Sequence, residues 1–426
     1  MPYLLVSDIR KAMALLAELF YNSPQDKLTL IGIGGTKGKT TTTYYVKAIL
    51  DEYLKALGEL PAGISSTITT YDGFTEKESM NTTPEAMDLQ KHLAKSVQAG
   101  LKYMVMEVSS QALKYHRTAG LMFDVSIFLN IDEDHISPIE HPNFADYRES
   151  KAKMFEQTRR LVLNHETQEA DFMFAKANNA NEYYTFSIVS DEADYYASEI
   201  ETVQLKSAFH VRSKNIDETY ILSMPGDFNV ENAISAIAVA DLLGIPQEYA
   251  KAALSKVQVP GRMGILSSDD KNVIAVADYA HNRLSFEQLA ISMRKAYPNY
   301  KVVSIFGAPG GKALGRREEL GSVGGKYSDF VILTMDDPAF ETVRDISNEM
   351  AEYVEKEGTP YLIIENREEA IKEAFNQVDG ETILLAIGKG HEKEMKINGQ
   401  SVPIPSDYEV LQKQIDRYNE QLKKDK

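Results

Sequence analysis

Short apolar runs bounded by glycine and polar residues alternate along the chain with longer segments whose apolar positions recur every three or four residues. The runs at 28–31, 103–107, 125–129 and 161–163 predict buried strands, each followed by a segment of helical length. Continuous apolar strands separated by helical patterns are the signature of a mostly parallel sheet covered on both faces. Between 194 and 223 the pattern changes to two or three alternating strands with no helix between them, which predicts an antiparallel excursion at the sheet edge. Pro225-Gly226 then punctuates, and the alanine-rich stretch 229–243 predicts a helix. Ahead of all this, residues 1–27 read as one amphipathic helix and a loop around Asn22-Ser23-Pro24-Gln25.

Residues 257–262, VQVPGR, read as a linker, after which a second series begins. Strands are predicted at 273–277, 301–306, 330–333, 361–364 and 382–386, with helices at 284–296, near 316–325, at 343–356 and at 368–376, and a polar helix from Asp407. Each unit has the length of a βα repeat, so a separate Rossmann-like domain is expected. The expected division is 1–27 as a lead-in, 28–259 as a central nucleotide-binding domain and 260–426 as the Rossmann-like domain. The fold class is α/β throughout.

At 426 residues the chain is long enough for two or three cores. A formal charge of −17 argues against a nucleic-acid partner. With no cysteine, disulfides, thiolate metal sites and a catalytic thiol are excluded. The apolar start carries Asp8, Arg10, Lys11 and Glu18, so it predicts neither a signal peptide nor a membrane span. No membrane insertion, a cytoplasmic location and a monomer are the expectations.

The stretch LTLIGIGGTKGKTTTTYY, from Leu28 to Tyr45, reads as strand, glycine loop and helix. Such a loop lets backbone N–H groups close around phosphate oxygens, with the positive end of a helix behind them, and it supplies an ammonium and a hydroxyl able to ligate Mg²⁺. The strict G-x-x-x-x-G-K-[ST] spacing is not met, because Ile33 stands where the first glycine belongs; G-T-x-G-K-T, from Gly35 to Thr40, is present instead. Other clusters stand at strand ends. Glu107 closes 103–107, where a metal-binding carboxylate belongs in an open α/β sheet and where a solvated glutamate is equally common. NIDEDH, from Asn130 to His135, together with His141, reads either as a metal cluster or as a polar loop with a satisfied histidine. Lys151 and Lys153, on a helix predicted over 145–158, read from the residues alone as exposed salt-bridge partners. Asp278 follows the strand at 273–277, and glycine-rich loops at 307–315 and 388–392 suggest a ligand that approaches the backbone closely.

GTKGKT, MEVSSQAL, NIDEDH, GDFNVENAISA, VPGRM, DYAH, TMDDPA and GKGHE occur in this order. Taken together they resemble the Mur ligase family over about residues 28–408, and NTTPE, from Asn81 to Glu85, is similar to the branch that adds the third residue of the peptidoglycan stem peptide, the MurE type. The resemblance implies an ATP-dependent ligase, in which a substrate carboxylate is phosphorylated to an acyl phosphate that an incoming amine then displaces. It implies nucleotide binding by Gly35, Thr36, Gly38, Lys39, Thr40, Thr41, Asn232, Arg262 and Asp278. Thr40 would hold one magnesium ion, and Glu107, His135 and a carbamylated Lys151, the lysine matched by its spacing from Tyr147, would hold a second. Lys39, Glu107, His135 and Lys151 would be the catalytic set. Thr82, Thr83, Ser109 and Arg117 match positions that touch the carboxylate acceptor.

For the amino acid, the resemblance points to Lys312 at the α-carboxylate and to Asp336, Asp337 and Glu392 at a terminal ammonium. The family's D-N-P-R motif reads Asp336-Asp337-Pro338-Ala339, which favours an L-lysine-type pocket over a diaminopimelate-type one, since a second carboxylate would lack its arginine. D-Y-A-H-T-P continues as His281-Asn282-Arg283, and R-M-E becomes Arg262-Met263-Gly264. Family members carry a UDP-binding domain ahead of the glycine loop, so the short lead-in here leaves two expectations for the acceptor. One is a UDP-linked cell-wall precursor; the other is a small peptide or polyglutamate-type carboxylate, as in folylpolyglutamate synthetase. A nucleotide-docking subunit without catalysis is a third reading, against which the set Lys39, Thr40, Glu107, His135 and Lys151 argues.

Overall fold

The apolar run at 28–31 lies inside strand β1 (Thr29–Gly34), whose residues from Leu30 onward are buried on both faces. In the computed structural model, which describes residues 5–133, 136, 137, 140–203 and 205–424, β1 sits within an eleven-stranded sheet. The others are β2 (Gly63–Ser65), β3 (Thr69–Tyr71), β4 (Glu76–Glu78), β5 (Tyr103–Glu107), β6 (Phe123–Phe128), β7 (Thr158–Asn164), β8 (Glu182–Ser187), β9 (Tyr195–Val203), β10 (Lys206–Arg212) and β11 (Asp217–Leu222). Their order is β11-β10-β9-β8-β7-β6-β1-β5-β2-β3-β4. From β2 through β9 neighbouring strands are parallel, and β3-β4 and β10-β11 add antiparallel edges. This places the carboxyl ends of β1, β5, β6 and β7 along one rim, where ligands bind in open α/β sheets.

The core of this unit is aromatic and long-chain aliphatic: Leu30, Met104, Met106, Phe123, Phe128, Phe155 and Leu163 pack into one cluster. Helix Asp227–Leu242 is buried nearly all round, which explains why its sequence shows alanine enrichment rather than an apolar stripe. The N-terminal helix spans Ile9–Phe20, capped by Asp8, and Ala14 clusters with Ala86 and Ala119. The helix predicted over 145–158 stops at Ala152. Met154 and Phe155 turn into the core, Thr158 Oγ1 donates to the Met154 carbonyl, and Thr158 already begins β7.

The contacts divide the chain into Met1–Val257 and Gln258–Lys426. The second unit is built on β12 (Gly264–Ser267), β13 (Val273–Asp278), β14 (Lys301–Phe306), β15 (Phe330–Leu333), β16 (Tyr361–Ile363) and β17 (Thr382–Ile387), in the order β12-β13-β17-β14-β15-β16. Only β12 runs antiparallel. A hairpin, β18 (Glu394–Ile397) and β19 (Gln400–Pro403), precedes the last helix, Asp407–Lys424. Among the described residues no helix is long and apolar enough to cross a membrane.

One buried carboxylate anchors the β3-β4 edge. Asp72 accepts from the backbone N–H groups of Phe74 and Thr75 and from the Thr75 hydroxyl, and it meets His92 Nδ1 at 3.0 Å on helix Ala86–Ala99. Burial opposes its charge, but the Thr75 N–H, His92 and Lys95 outweigh that and hold it down to about 2. Because the folded state depresses this pKa, the ion stabilises the fold above the unfolded value near 3.8, and that stabilisation is lost as pH falls toward 2. Asp72→Ala should therefore lower unfolding stability by about 3 kcal/mol at pH 7. In denaturant titrations the deficit should hold down to about pH 5 and shrink below about pH 4; a deficit unchanged at pH 3 would contradict the assignment.

Candidate active site

The loop after β1 is shaped by what crowds it. Gly38 caps helix Lys39–Ala56 with φ of 82°, and a Cβ there would collide with the side-chain oxygen of Asn232 from helix Asp227–Leu242. Only glycine lets that helix lie so close behind the loop. Asn130, just past β6, ties the loop from the other side: its Oδ1 accepts from the N–H groups of Thr36 and Lys37 at 3.1 and 2.8 Å, and its amide donates to the Lys37 carbonyl. The Thr36 hydroxyl lies 2.9 Å from the hydroxyl of the buried Tyr147. Thr40 and Thr41 are buried in the first turn of the helix.

Two lysines converge on this loop. Lys39 Nζ donates to the carbonyls of Gly35 and Thr36, both at 3.0 Å. Lys151 Nζ donates to the same Gly35 carbonyl at 2.7 Å, with its ammonium 4.7 Å from the centre of the Tyr147 ring. Lys151 is 3% exposed, so it is not the solvated salt-bridge partner that its helix would suggest. Glu107 is next in reach. Its strand pairs with β1 so that Glu107 faces Ile33, and Val108 N donates to the Ile33 carbonyl. The buried Glu107 carboxylate accepts from the Thr67 N–H at 2.8 Å and the Thr67 hydroxyl at 3.0 Å.

A second cluster is stitched to the end of β5. Thr83 Oγ1 donates to the Glu107 carbonyl at 2.9 Å and accepts from Ser109 N at 3.0 Å, and Thr67 Oγ1 donates to Thr82 Oγ1. Arg117 Nη1 donates to the Thr83 carbonyl and Nη2 pairs with Glu85, while its buried Nε has no acceptor. Thr82, Thr83, Ser109 and Arg117 thus form one patch beside Glu107. His141 takes the structural alternative: fully buried, it meets Asp146 at 2.7 Å and Ser110 at 3.0 Å. Hydrogen bonding from Lys114, then from His141, holds Asp146 below the usual carboxylate range. His135 lies outside the described residues, and among those described no three histidines or acids gather as a metal cluster.

In the second unit the strand-end loops pack on one another. A Cβ at Gly310 would strike the Pro338 carbonyl, and one at Gly388 would strike the Asp336 carboxylate. These two glycines are required by neighbouring loops of the chain itself, whereas a Cβ at Gly311 or Gly315 would meet nothing. Burial pushes Asp336 up to about 6. Against its own desolvation, Asp337 is held low by the Lys396 N–H and by Lys389, whose ammonium is 3.1 Å from Asp337 and 2.5 Å from Glu392. Lys312 is exposed on the loop after β14, close enough to add to the field at Asp337. Asp278 accepts from Met263 N and Ala280 N, and burial raises its pKa despite the Arg262 cation, which lies 4.7 Å from the centre of the Tyr279 ring.

Several working residues carried no sequence signal of their own. The buried Arg367 grips Asp407 through two nitrogens at 2.7 and 2.8 Å and also donates to the Met335 and Ile387 carbonyls, tying the ends of β15 and β17 to the last helix. Forty residues separate that pair, a spacing no local pattern reveals. Asn130 and Lys389 were findable: each follows a predicted strand, and Lys389 stands between two glycines.

Sequence comparison supplies the frame for these features. Residues 33–240 match the Mur ligase middle domain, and 261–390 match the Mur ligase glutamate ligase domain. The chain is 37% identical, over 98% of its own length and 82% of the relative's, to the UDP-N-acetylmuramoyl-L-alanyl-D-glutamate--L-lysine ligase of Enterococcus faecalis. It is 36% identical, over 94% of its length and 80% of the relative's, to the corresponding 2,6-diaminopimelate ligase of Caldanaerobacter subterraneus. A solved 2,6-diaminopimelate ligase structure superposes with a TM-score of 0.67 at 26% identity, over 97% of this chain and 84% of that one. Two domain matches in sequence order, relatives of this identity across nearly the whole chain, and a glycine loop on which two lysines converge lead to one assignment: this chain belongs to the Mur ligase family, among its MurE-type members.

Proposed function

We propose that the chain is an ATP-dependent, ADP-forming ligase that joins a carboxylate to the amine of L-lysine in peptidoglycan precursor synthesis, with UDP-N-acetylmuramoyl-L-alanyl-D-glutamate as acceptor. The observation that carries the reading is the convergence of Lys39 and Lys151 on the Gly35 carbonyl, with Glu107 on the adjoining strand. A carboxylate is a poor electrophile until one oxygen becomes a leaving group, and phosphoryl transfer to it succeeds where positive groups meet the charge developing on the phosphoryl oxygens. Lys39 supplies such a charge, and Asn130, by taking up the Thr36 and Lys37 N–H groups, fixes the loop that carries it. Arg117, with an unused Nε beside Thr83 and Ser109, suits an anionic acceptor. Asn232, whose side chain packs against Gly38, is assigned to the nucleotide. In the second unit, Arg262 and Asp278 are assigned to the nucleotide, and Lys312, Asp336, Asp337 and Glu392 to the amino acid.

The donor set fits magnesium. The Thr40 hydroxyl, in the first turn of the helix after β1, and the Glu107 carboxylate, at the end of the adjoining β5, are hard oxygens, and carbamylation would turn Lys151 from a cation into an oxygen ligand. The ions would neutralise phosphate charge: one is assigned to Thr40, and a second to Glu107, His135 and carbamylated Lys151. The chain's own residues hold the loop, bind the acceptor and orient the amine.

Phosphate release should require ATP, the UDP-linked acceptor and L-lysine together; release with a polyglutamate-type or small peptide acceptor instead would replace this reading. Lys39→Met should lower that release by about 10³-fold with little change in melting temperature. Asn130→Ala should raise the KM for ATP about tenfold while leaving the KM for lysine unchanged. An equal loss in both constants would mean that Asn130 serves the fold rather than the loop.

A further inference from the structure

Lys389 is 3% exposed and flanked by Gly388 and Gly390, both with positive φ. Its ammonium reaches Asp337 and Glu392, and the preceding glycine packs against the Asp336 carboxylate, so one buried cation sits among three acids. Burial disfavours that charge, yet Glu392, Asp336 and Asp337 offset it and hold the lysine above its ordinary range. Two of the three acids assigned above to a substrate ammonium, Asp337 and Glu392, are therefore already paired with a cation of the chain, and Pro338 is followed by Ala339, which has no charge to offer. We propose that Lys389 is a carboxylate receptor masked by Asp337 and Glu392, and that this masking, as much as attraction of an ammonium, makes the pocket choose lysine. The inference rests on the amino-acid pocket proposed above.

The two candidate amino acids differ at the end the pocket must read. L-lysine ends in an ammonium; meso-diaminopimelate carries an ammonium and a carboxylate there. A cation already neutralised by two acids cannot repay the desolvation of that extra carboxylate, so diaminopimelate is rejected. Removing the two negative charges without changing shape should unmask Lys389. Asp337 has φ of 48°, a conformation asparagine tolerates, so Asp337→Asn combined with Glu392→Gln is a mild change.

The test measures phosphate release by the full chain with L-lysine and with meso-diaminopimelate, alongside melting temperatures. In the double variant kcat/KM for lysine should fall about 30-fold and that for diaminopimelate should rise about tenfold, with both changes carried by KM. Adding Lys389→Met should erase the diaminopimelate gain, and adding Lys389→Arg should keep it. Equal losses for both amino acids, or a gain that survives Lys389→Met, would overturn the proposal. A wild type that releases phosphate with neither amino acid overturns the ligase reading instead. The receptor is then decided by calorimetry with glutarate, whose binding should appear in the double variant and vanish once Lys389→Met is added; binding in neither variant overturns it.

Discussion

Two lysine ammonium groups sharing the carbonyl oxygen of Gly35 are the constraint around which the first unit is arranged. Held no more than about 6 Å apart, they repel each other by roughly 3 kcal/mol at the effective dielectric of a protein site. Anything that brings negative charge to the loop, or turns one of the cations into an anion, relieves that repulsion. A bound triphosphate would do the first, and the proposed carbamylation of Lys151 the second. The surroundings keep both lysines in place: Tyr147 covers Lys151 and bonds Thr36, Asn130 fixes the loop backbone, and Gly38 lets Asn232 approach from behind.

The second unit uses the same architecture for another purpose. Its parallel strands also end along one rim, where Gly310 and Gly388 let the loops after β14, β15 and β17 pack closely on one another. Arg367 and Asp407 form a buried two-nitrogen ion pair that binds the ends of β15 and β17 to the last helix. Breaking such a pair is costly because it leaves a buried charge without compensation. Asp336 and Lys389 stand on the loops this pair secures, so the charges on these loops are set by contacts far apart in sequence.

Much of this was legible in advance, for physical reasons that differ by element. The buried strands β1, β5, β6 and β17 announce themselves as unbroken apolar runs, and the edge strands β9 to β11 by their alternation. The strands at 63–78 gave no such signal: they are three residues each, and Glu76-Lys77-Glu78 is wholly exposed. The helix predicted over 145–158 was drawn too long because Met154 and Phe155 preserve a helical apolar spacing while packing into the core. In the candidate site, Lys39 and Glu107 stood out by motif and strand-end position, and Lys151 only through the family resemblance. Whether Lys151 was solvated or buried was not readable, since that depends on Gly35, more than a hundred residues away. His141 shows the converse: beside an acidic run it looked like a possible ligand, and its partners Ser110 and Asp146 satisfy it within the fold.

The most direct measurement is anomalous diffraction from crystals holding Mn²⁺ and a non-hydrolysable ATP analogue. Phosphate oxygens are expected against the N–H groups of residues 38–40 at the start of the helix, and a metal peak about 2–2.5 Å from the Glu107 carboxylate or the Thr40 hydroxyl, beside Lys151. Phosphates bound elsewhere, or every metal peak farther than about 8 Å from both Glu107 and Lys151, a gap beyond the spacing of paired catalytic metals, would contradict this reading.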